Sequence, residues 1–380
     1  MDFELSDTER MLAETARRIV ARDVEPVLAG HSPDRALPKA VMLDLYRAIV
    51  PLGCTGARIA EAEGGSGLTH VMLGLINESL PPVLGFSLLG HESTTKRIHM
   101  NGTHEQKARF LPDLLSGKRL AGTAASEPNV GSDPRGIETT AVQDGDNYVL
   151  NGTKLWITNG PILDTALVVA SLGRDASGRN LITRFVVDRE ESPFESREIP
   201  TVGLRQGPLG ELNFRDCRVP KANMLGEPGD AHRSLTFTWL ANRPNIGLFG
   251  VHLAQKALDA SIAYARQREQ FGQPIAAFQA VKHQLANLAC DLEPSLSLLW
   301  YAAHAFDRIP AESERHAALA KSHLTDVYDR FARETTELHG GIGFTWEYDL
   351  QLWFKRAIYD RSLFGDATLH RARAADLAGW

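Results

Sequence analysis

Apolar residues recur at the spacing of an α-helix over the first third of the chain. A capping box, SDTE at residues 6–9, precedes a run whose apolar residues lie on one side. A second box, THEQ at residues 103–106, precedes another such run. Glycines in the loop at residues 63–67 separate helical stretches, since they permit positive φ. The pattern predicts a helical N-terminal domain over residues 1–118.

The pattern changes after about residue 119 to short runs of β-branched and aromatic residues. Three of these runs have the composition of strands: TALVVASL, LITRFVVD and ELNFRDCRVP. The turn sequences DGD at residues 144–146 and NG at residues 151–152 are typical of β-hairpins. This density of short strands predicts a small β-barrel or sandwich over residues 119–228.

Helical periodicity returns after about residue 231, in longer segments. Apolar residues recur every three or four positions, with charged residues opposite, in HLAQKALDASIAYARQREQ, FQAVKHQLANLACDL and HAALAKSHLTDVYDRFARETTEL. Three or four long amphipathic helices predict a bundle over residues 229–380. The predicted fold class is therefore α+β, with an N-terminal helical domain, a central small β-barrel or sandwich, and a C-terminal four-helix bundle.

Composition narrows the possible functions. A net charge of −6 over 380 residues argues against nucleic-acid binding, which needs surplus Lys and Arg to neutralise phosphates. The acidic N-terminus lacks the basic region and apolar run of a secretory signal, and no stretch approaches the roughly 18 to 20 apolar residues of a membrane span. The separated Cys54, Cys217 and Cys290 are typical of reduced thiols in a cytoplasmic protein.

Several common site motifs do not occur in the sequence. The histidines lack metal-ligand spacing, so we expect no metal site, and there is no nucleophile elbow, P-loop or Rossmann glycine motif. The remaining candidate chemistry lies in ASEPNVGSD (125–133), NGTKLWITNG (151–160), RQREQFGQPIAAFQAVKH (266–283) and LHGGIGFTWEYD (338–349). Each stretch alone has an ordinary structural explanation, because a strand Trp is usually core and a Gly-Gly pair usually ends a helix.

Together and in this order, the four stretches resemble the acyl-CoA dehydrogenase family over essentially the whole chain. The resemblance implies FAD bound between domains and subunits, and an acyl-CoA thioester as substrate. It also implies a homo- or hetero-oligomer, either a dimer or a tetramer, with electron-transfer flavoprotein as a partner. In this family a base removes the α proton of the thioester while the β hydride goes to the flavin.

The resemblance assigns five residues with aromatic, hydroxyl or basic side chains to FAD. Trp156 matches the residue whose ring packs on the isoalloxazine, and Thr158 matches the hydroxyl that meets the hydride-accepting nitrogen. Ser126 stands where a Thr usually contacts the flavin. Arg268 and Phe271 match a pair that reaches the FAD of a neighbouring subunit.

Other positions are assigned in the same way to the cofactor or the substrate. Gly340 and Gly341 match a loop whose bare backbone lets FAD approach closely. Ser132 matches a residue along the CoA arm, and Arg243 matches an arginine on the helix that lines the acyl pocket. Phe364 is also expected at the acyl pocket.

The sequence departs from the family where the catalytic base is expected. The commonest base is a Glu near the C-terminus, and counting forward from Gly340 places Phe364 there. A phenylalanine cannot accept a proton. Some relatives carry the base on the helix that includes Arg243, but Asn242 precedes that arginine and residues 231–258 contain no Asp or Glu.

Two further departures add negative charge. Glu337 stands where the family usually has a Gln that reaches FAD, and an ionised Glu cannot donate a hydrogen bond. Near a pyrophosphate it would repel, by roughly 4 kcal/mol for unit charges about 4 Å apart at a dielectric near 20. Asp366, on the position of a family threonine, would add a second negative group beside the cofactor. The alternative is that both acids face solvent.

Four hypotheses on function remain open. The first is a subunit of a hetero-oligomeric acyl-CoA dehydrogenase, similar to bacterial enzymes that oxidise steroid side chains, in which another subunit type carries the base. The second is a self-sufficient dehydrogenase that uses Asp366 as an atypical base. The third is a nitroalkane-oxidase-like flavoenzyme, and the fourth is a non-catalytic scaffold or binding protein. We favour the first, in which Phe364 marks a lost base and the catalytic residue is not in this chain.

Overall fold

The computed structural model describes residues 4–380, apart from the side chains of residues 232–239. The chain divides into two compact units. The first comprises Met1–Thr69, Pro81–Thr201 and Arg205–Thr238, and the second comprises His70–Leu80, Val202–Leu204 and Trp239–Trp380. The three-domain division of the sequence stays a prediction.

Helices occupy both ends of the chain, as the apolar spacing predicts. They are α1 (Asp7–Ile19), α2 (Glu25–Ala29), α3 (Lys39–Ile49), α4 (His70–Ser79), α5 (Pro82–Asn101), α6 (His104–Leu115), α7 (Ala231–Gln267), α8 (Gln279–Arg308), α9 (Pro310–Leu338), α10 (Leu350–Ser362) and α11 (Ala367–Ala378). The fold-class prediction is confirmed: helical ends enclose a central segment of β-structure in sequence order.

Both predicted capping boxes form and start their helices. At α1, the Ser6 side chain accepts from the Glu9 N–H, and the Glu9 carboxylate accepts from the Ser6 N–H at 2.8 Å. At α6, Thr103 and Gln106 exchange the equivalent pair of hydrogen bonds. Each box satisfies two backbone donors that a helix start would otherwise leave without a partner.

The central strands form one eight-stranded sheet in the first unit. Its strands are β1 (Ala121–Ala124), β2 (Thr140–Asp144), β3 (Asn147–Thr158), β4 (Thr165–Arg174), β5 (Asn180–Asp188), β6 (Glu195–Glu198), β7 (Leu209–Pro220) and β8 (Met224–Leu225). The order is β6-β7-β3-β2-β4-β5-β8, and β1 pairs in parallel with β4. A two-stranded hairpin, β9 (Glu269–Gln270) and β10 (Gln273–Pro274), follows α7.

The first unit buries one face of this sheet against helices. Ile98 of α5 and Phe110, Leu111 and Leu114 of α6 pack with strand residues such as Leu167. Full burial of each such side chain contributes about 1.5–3 kcal/mol. This packing brings α5 against the sheet, and it is α5 that supports the candidate site described below.

One predicted turn is wrong. The DGD sequence does connect β2 to β3 as a hairpin, with Asp144 paired to Asn147, but the NG sequence lies inside β3. Asn151 accepts from the Asp216 N–H at 2.8 Å, where the register of β3 and β7 shifts. A Cβ at position 152 would lie 2.4 Å from the Thr139 hydroxyl, so the glycine serves close packing rather than a turn.

The second unit is a bundle built on long helices. The helices α7, α8 and α9 have 37, 30 and 29 residues. Their core includes Leu248, Leu288, Leu299, Leu324 and Phe331, all nearly inaccessible to solvent. Helix α4 joins this unit through α8, because the Asp307 carboxylate accepts from the first backbone N–H groups of α4 at 2.9 and 3.2 Å. Within residues 4–380, no helix is long and apolar enough to cross a membrane.

Candidate functional site

Trp156 is presented to solvent by an irregularity in β3. The β3–β7 ladder pairs Lys154 with Leu212 and Ile157 with Gly210, so two residues of β3 oppose one residue of β7. This is a β-bulge, a device that redirects a side chain. Trp156 has φ 62° and its side chain is 58% exposed, between the buried Lys154 and Ile157. A left-handed bulky residue costs of order 1–3 kcal/mol, which favours a functional reason for the exposed ring.

Thr158 is held at the end of β3 by a buried polar network. The next residue, Asn159, has φ 63° and is buried. Its side-chain oxygen accepts from the Ser87 hydroxyl at 2.8 Å, and its amide donates to the Ser87 carbonyl at 3.2 Å. The Tyr46 hydroxyl lies 3.0 Å from the same serine hydroxyl. The sequence reasoning missed this network, although the unusual Asn before Gly160 was a signal for it.

A buried ion pair connects the Ser126 segment to the strand of Trp156. The Lys154 ammonium donates to the Glu127 carboxylate at 2.7 Å and to the Ala125 carbonyl at 3.1 Å. Lys154 is 0% and Glu127 4% exposed. Burial lowers the pKa of Lys154 to about 8 although Glu127 opposes the shift, so the ammonium remains the main form at neutral pH.

The same carboxylate also organises the loop that follows. It accepts from the backbone N–H groups of Glu138 and Thr139 at 2.6 and 2.9 Å. The Leu155 N–H donates to the Ser126 carbonyl at 2.9 Å. The loop residue Ser132 is exposed. The first unit thus brings Ser126, Trp156 and Thr158 together, and Glu127 holds the segment that leads to Ser132.

In the second unit, Phe271 stands at the tip of the β9–β10 hairpin. Phe271 has φ 54° and Gly272 has φ 79°, the pair of positive angles that a two-residue type I′ turn requires. Asn or Gly normally fills the first of these positions. The Phe271 ring is 93% exposed, and Arg268 at the start of the hairpin is exposed as well.

Glu337, Gly340 and Gly341 follow one another at the end of α9. Glu337 is exposed in the last turn, where the helix dipole disfavours a negative charge. Gly340 has φ 60°, which explains a glycine immediately after the helix. Gly341 is different: a Cβ built there would meet no atom within 4 Å. The fold of the described residues therefore gives no steric reason for glycine at position 341.

Arg243 lies on α7 and is partly buried. Its Nε atom is buried and has no hydrogen-bond partner in the part of the chain that the structure describes. Burial lowers the pKa of Arg243, and the nearby Arg373 acts in the same direction while Glu314 opposes both. The preceding Asn242 is 3% exposed and offers no carboxylate. A buried guanidinium nitrogen without a partner fits a polar group of a bound ligand.

Phe364 occupies a defined loop between α10 and α11. It has φ 58°, and its carbonyl accepts from the His370 Nε2–H at 3.0 Å. Burial lowers the pKa of His370 to about 4, with the charge of Arg243 second, so the imidazole is neutral at neutral pH. A Cβ at Gly365 would lie 2.8 Å from the same imidazole nitrogen. The loop is therefore fixed by His370 around the position where a base is expected.

Asp366 has a structural role in this loop. Its carboxylate accepts from the Leu369 N–H at 2.9 Å and caps the start of α11. The residue is exposed. The cap explains the acid without a ligand, so its assignment to the cofactor stays a prediction, as does that of Glu337.

A second polar group supports the same loop and was missed from the sequence. Lys321 of α9 is 1% exposed and donates to the backbone carbonyl of Asp360, at the end of α10. The Asp360 carboxylate forms an ion pair with Arg356 at 2.7 Å. Burial lowers the pKa of Lys321 to about 8 and raises the pKa of Asp360. These charges hold the last turn of α10, from which the Phe364 loop leaves.

Comparison with known proteins agrees with this fold over the whole chain. Family sequence models match at residues 6–118 (acyl-CoA dehydrogenase, N-terminal domain), 122–217 (middle domain) and 236–378 (C-terminal domain). The chain is 31% identical over 367 residues to the probable acyl-CoA dehydrogenase YngJ of Bacillus subtilis (strain 168), covering 94% of each protein.

Solved structures give the same result. Butyryl-CoA dehydrogenase from Megasphaera elsdenii is similar with a TM-score of 0.90 and 28% identity, covering 100% of both chains. A glutaryl-CoA dehydrogenase from Mycobacterium smegmatis in complex with FADH2 is similar with a TM-score of 0.85 and 27% identity, covering 99% of this chain and 96% of that one.

These likenesses define a flavin-dependent oxidoreductase. The chain belongs to the acyl-CoA dehydrogenase family, whose cofactor is FAD. The family resemblance of the sequence and the prediction of FAD are confirmed. The roles of the individual site residues stay predictions.

Proposed function

We propose that this chain is a base-lacking subunit of a hetero-oligomeric acyl-CoA dehydrogenase that desaturates an acyl-CoA thioester between its α and β carbons. The observation that carries the proposal is Phe364, which occupies a loop fixed by His370 at the expected position of the base. The buried Asn242 offers no carboxylate at the alternative position. A second subunit type would then supply the carboxylate that removes the α proton. Steroid side chains are the substrate class that we favour.

The described residues fit FAD. Exposed aromatic rings in left-handed backbone, Trp156 and Phe271, offer apolar faces that a planar ring system would cover. We assign Trp156 to the isoalloxazine ring, and the Thr158 and Ser126 hydroxyls to hydrogen bonds with it. Arg268 and Phe271 are assigned to the FAD of a neighbouring subunit, and Gly340 and Gly341 to a loop that lets FAD approach closely.

Each group has a defined part in the reaction. Bound FAD would supply a hydride acceptor for the β carbon of the thioester. The Trp156 ring excludes water from that carbon and strengthens local electrostatics. Arg243, with its buried Nε, binds a polar group of the substrate, and Ser132 lies along the CoA arm. The α proton has no acceptor among these side chains, which is why the proposal needs a second subunit. Electron-transfer flavoprotein is the expected electron acceptor.

The self-sufficient alternative rests on Asp366, whose capping bond to α11 argues against a catalytic role. A base must be free to accept the substrate proton within about 2.6–3.2 Å. Bound flavin in the purified protein would argue against a scaffold. Oxidation of nitroalkanes rather than acyl-CoA would support a nitroalkane-oxidase-like enzyme instead.

The proposal is tested by purifying the chain alone and together with a co-encoded relative that carries the missing Glu. Absorbance spectra report flavin, and reduction of an artificial electron acceptor by acyl-CoA reports desaturation. We expect flavin and activity in the co-purified assembly and little activity in the lone chain. Colourless protein with every such partner would contradict the cofactor assignment. Brisk turnover by the lone chain would contradict the missing base.

Gly341→Ala separates a cofactor role from a structural one. We expect the variant to fold like the wild type, because a Cβ there meets no atom within 4 Å, and to bind FAD at least tenfold more weakly. Circular dichroism melting checks the fold, and titration of the apoprotein with FAD gives the affinity.

Gly343→Ala is the matched control for that experiment. A Cβ at position 343 would lie 2.4 Å from the Thr336 carbonyl, so this variant should lose stability before it loses any specific contact with FAD. If Gly341→Ala leaves FAD affinity unchanged, the loop after α9 does not approach the cofactor.

Glu337→Gln tests the electrostatic consequence of a Glu at the position where the family usually has a Gln. The change removes a negative charge and restores a donor, so FAD affinity should rise, by about tenfold if the side chain lies within about 10 Å of the pyrophosphate. FAD titration measures the change. Glu293→Gln, which removes an exposed charge on α8, should leave the affinity unchanged. An equal affinity for wild type and Glu337→Gln would show that Glu337 faces solvent in the assembly.

A further inference from the structure

Asn159, the residue after Thr158, holds a left-handed turn that is bonded on both sides. Its φ of 63° and ψ of 5° lie in a region that is unfavourable for a residue with a Cβ. The Asn159 N–H donates to the Pro208 carbonyl at 2.8 Å, and the Asn159 carbonyl accepts from the Ile162 N–H at 2.8 Å. The residue is 0% exposed. The backbone that follows Thr158 is therefore fixed inside the first unit.

The Asn159 side chain ends a series of three hydrogen-bonded side chains, Tyr46, Ser87 and Asn159, which we call the relay. The Ser87 hydroxyl of α5 donates to the Asn159 side-chain oxygen at 2.8 Å, and the Asn159 amide donates to the Ser87 carbonyl at 3.2 Å. Because the single proton of the Ser87 hydroxyl is used there, the Tyr46 hydroxyl of α3 donates to Ser87 at 3.0 Å. Burial raises the pKa of Tyr46, so the relay stays uncharged.

The Thr158 side chain is oriented by the same helix, α5. A Cβ built at Gly90 would lie 3.4 Å from both the Cβ and the methyl carbon of Thr158, so the methyl group faces α5. A β-branched side chain has few χ1 rotamers, and a methyl fixed in this way also fixes the direction of the hydroxyl. The Thr158 hydroxyl has no hydrogen bond to any residue that the structure describes, whereas every polar side-chain atom of the relay has one. The hydroxyl of Thr158 is thus left for a ligand.

We propose that Asn159 is a positioning residue: the relay holds its left-handed turn, and the turn directs the Thr158 hydroxyl to the hydride-accepting nitrogen of the flavin. This inference rests on the assignment of Thr158 to FAD in the proposed function, and it does not depend on where the catalytic base lies. Asn159 itself touches neither cofactor nor substrate, because it is buried and Ser87 occupies its polar atoms. Its effect on the flavin passes through Thr158.

Asn159→Gly tests the inference, because glycine removes the side chain and adopts the positive φ of the turn without strain. In the flavin-loaded assembly, we expect this variant to slow flavin reduction by acyl-CoA about tenfold, the scale of one lost hydrogen bond. The visible absorbance band of the oxidised flavin should shift in the same direction as in Thr158→Val, which lacks the hydroxyl. This band is measured without substrate, so it reports on the flavin contact independently of the base.

A double-mutant cycle with Thr158→Val separates positioning from a structural role. If Asn159 acts through the Thr158 hydroxyl, Asn159→Gly should change neither the absorbance band nor the reduction rate once that hydroxyl is gone. A structural role predicts that the effects of the two substitutions add in the double variant. Additive effects would overturn the inference.

Asn223→Ala is the matched control. Asn223 is another buried asparagine of the first unit, 2% exposed, and its amide donates to the Glu191 carboxylate at 3.1 Å. Its replacement should lower stability and leave the flavin absorbance band unchanged. A band shift as large as that of Asn159→Gly would mean that loss of any buried asparagine disturbs the flavin, and would count against the inference.

Ser87→Ala keeps the test decisive if Asn159→Gly fails to fold. Alanine removes the hydroxyl that donates to Asn159 and keeps the backbone carbonyl that accepts from it, so the absorbance band should shift by a smaller amount. A band equal to that of wild type in every flavin-loaded variant of the relay would overturn the inference. Wild type that binds no flavin in any assembly would instead overturn the cofactor assignment on which it rests.

Discussion

Phe364→Glu is expected to raise the rate at which the flavin-loaded lone chain desaturates acyl-CoA by about 10²- to 10⁴-fold, the usual contribution of a positioned general base. The backbone of the loop is well defined at this position. Phe364 has φ 58°, and its carbonyl is held by His370 at 3.0 Å, so the new side chain inherits a fixed backbone. Single-turnover reduction of the flavin measures the rate without a contribution from electron acceptors.

Two controls make this result specific to a base. Phe364→Gln has the same size as the Glu variant and cannot take a proton, so it should stay as slow as the wild type. Asp366→Asn should also leave the low rate unchanged, and Asn preserves the cap of α11 because it is an equally good N-cap residue. If the lone wild-type chain is fast and Asp366→Asn abolishes turnover with flavin still bound, Asp366 is the base and the subunit proposal is wrong.

Lys154→Met is expected to lower the free energy of unfolding by about 3–5 kcal/mol, the usual cost of leaving one member of a buried pair without the other. Glu127 would remain 4% exposed with only backbone donors against its charge. The melting temperature should fall by roughly 10 °C. FAD release should also accelerate, because the Ser126 segment and the strand of Trp156 lose their link through Lys154.

The double variant Lys154→Met with Glu127→Gln is the control. It removes both charges and keeps a carbonyl acceptor for the backbone donors of residues 138 and 139, so most of the lost stability should return. Thermal and urea unfolding of both variants measure the difference. A single variant as stable as wild type would mean that the pair contributes little and that other contacts position Ser126.

The elements that follow from local chemistry could be predicted well. Both capping boxes start their helices, and the DGD turn joins β2 to β3, because these signals act through residues a few positions apart. The NG prediction failed for a nonlocal reason. Gly152 is needed by the approach of Thr139, which lies 13 positions earlier in the chain. A hairpin signal cannot distinguish that packing demand from a turn.

In the candidate site, too, the sequence indicated the residues but not the nonlocal contacts that position them. The resemblance named Trp156 and Thr158, but the bulge that exposes the indole depends on the register between β3 and β7. Asp366 shows what residue type alone cannot determine. The acid suggested a base or a cofactor contact, whereas its position at the start of α11 makes it a helix cap.

The sequence by itself determined the α–β–α order of elements and the family, since these depend on residue type and spacing along the chain. That Phe364 stands in place of the usual base stays a prediction from the same spacing. Only the tertiary structure decided that Lys154 pairs with Glu127, that Asn159 is buried against Ser87, and that His370 fixes the loop of Phe364. Burial and pairing of charges arise from residues distant in sequence. Their energies depend on local dielectric and distance, which no periodicity records.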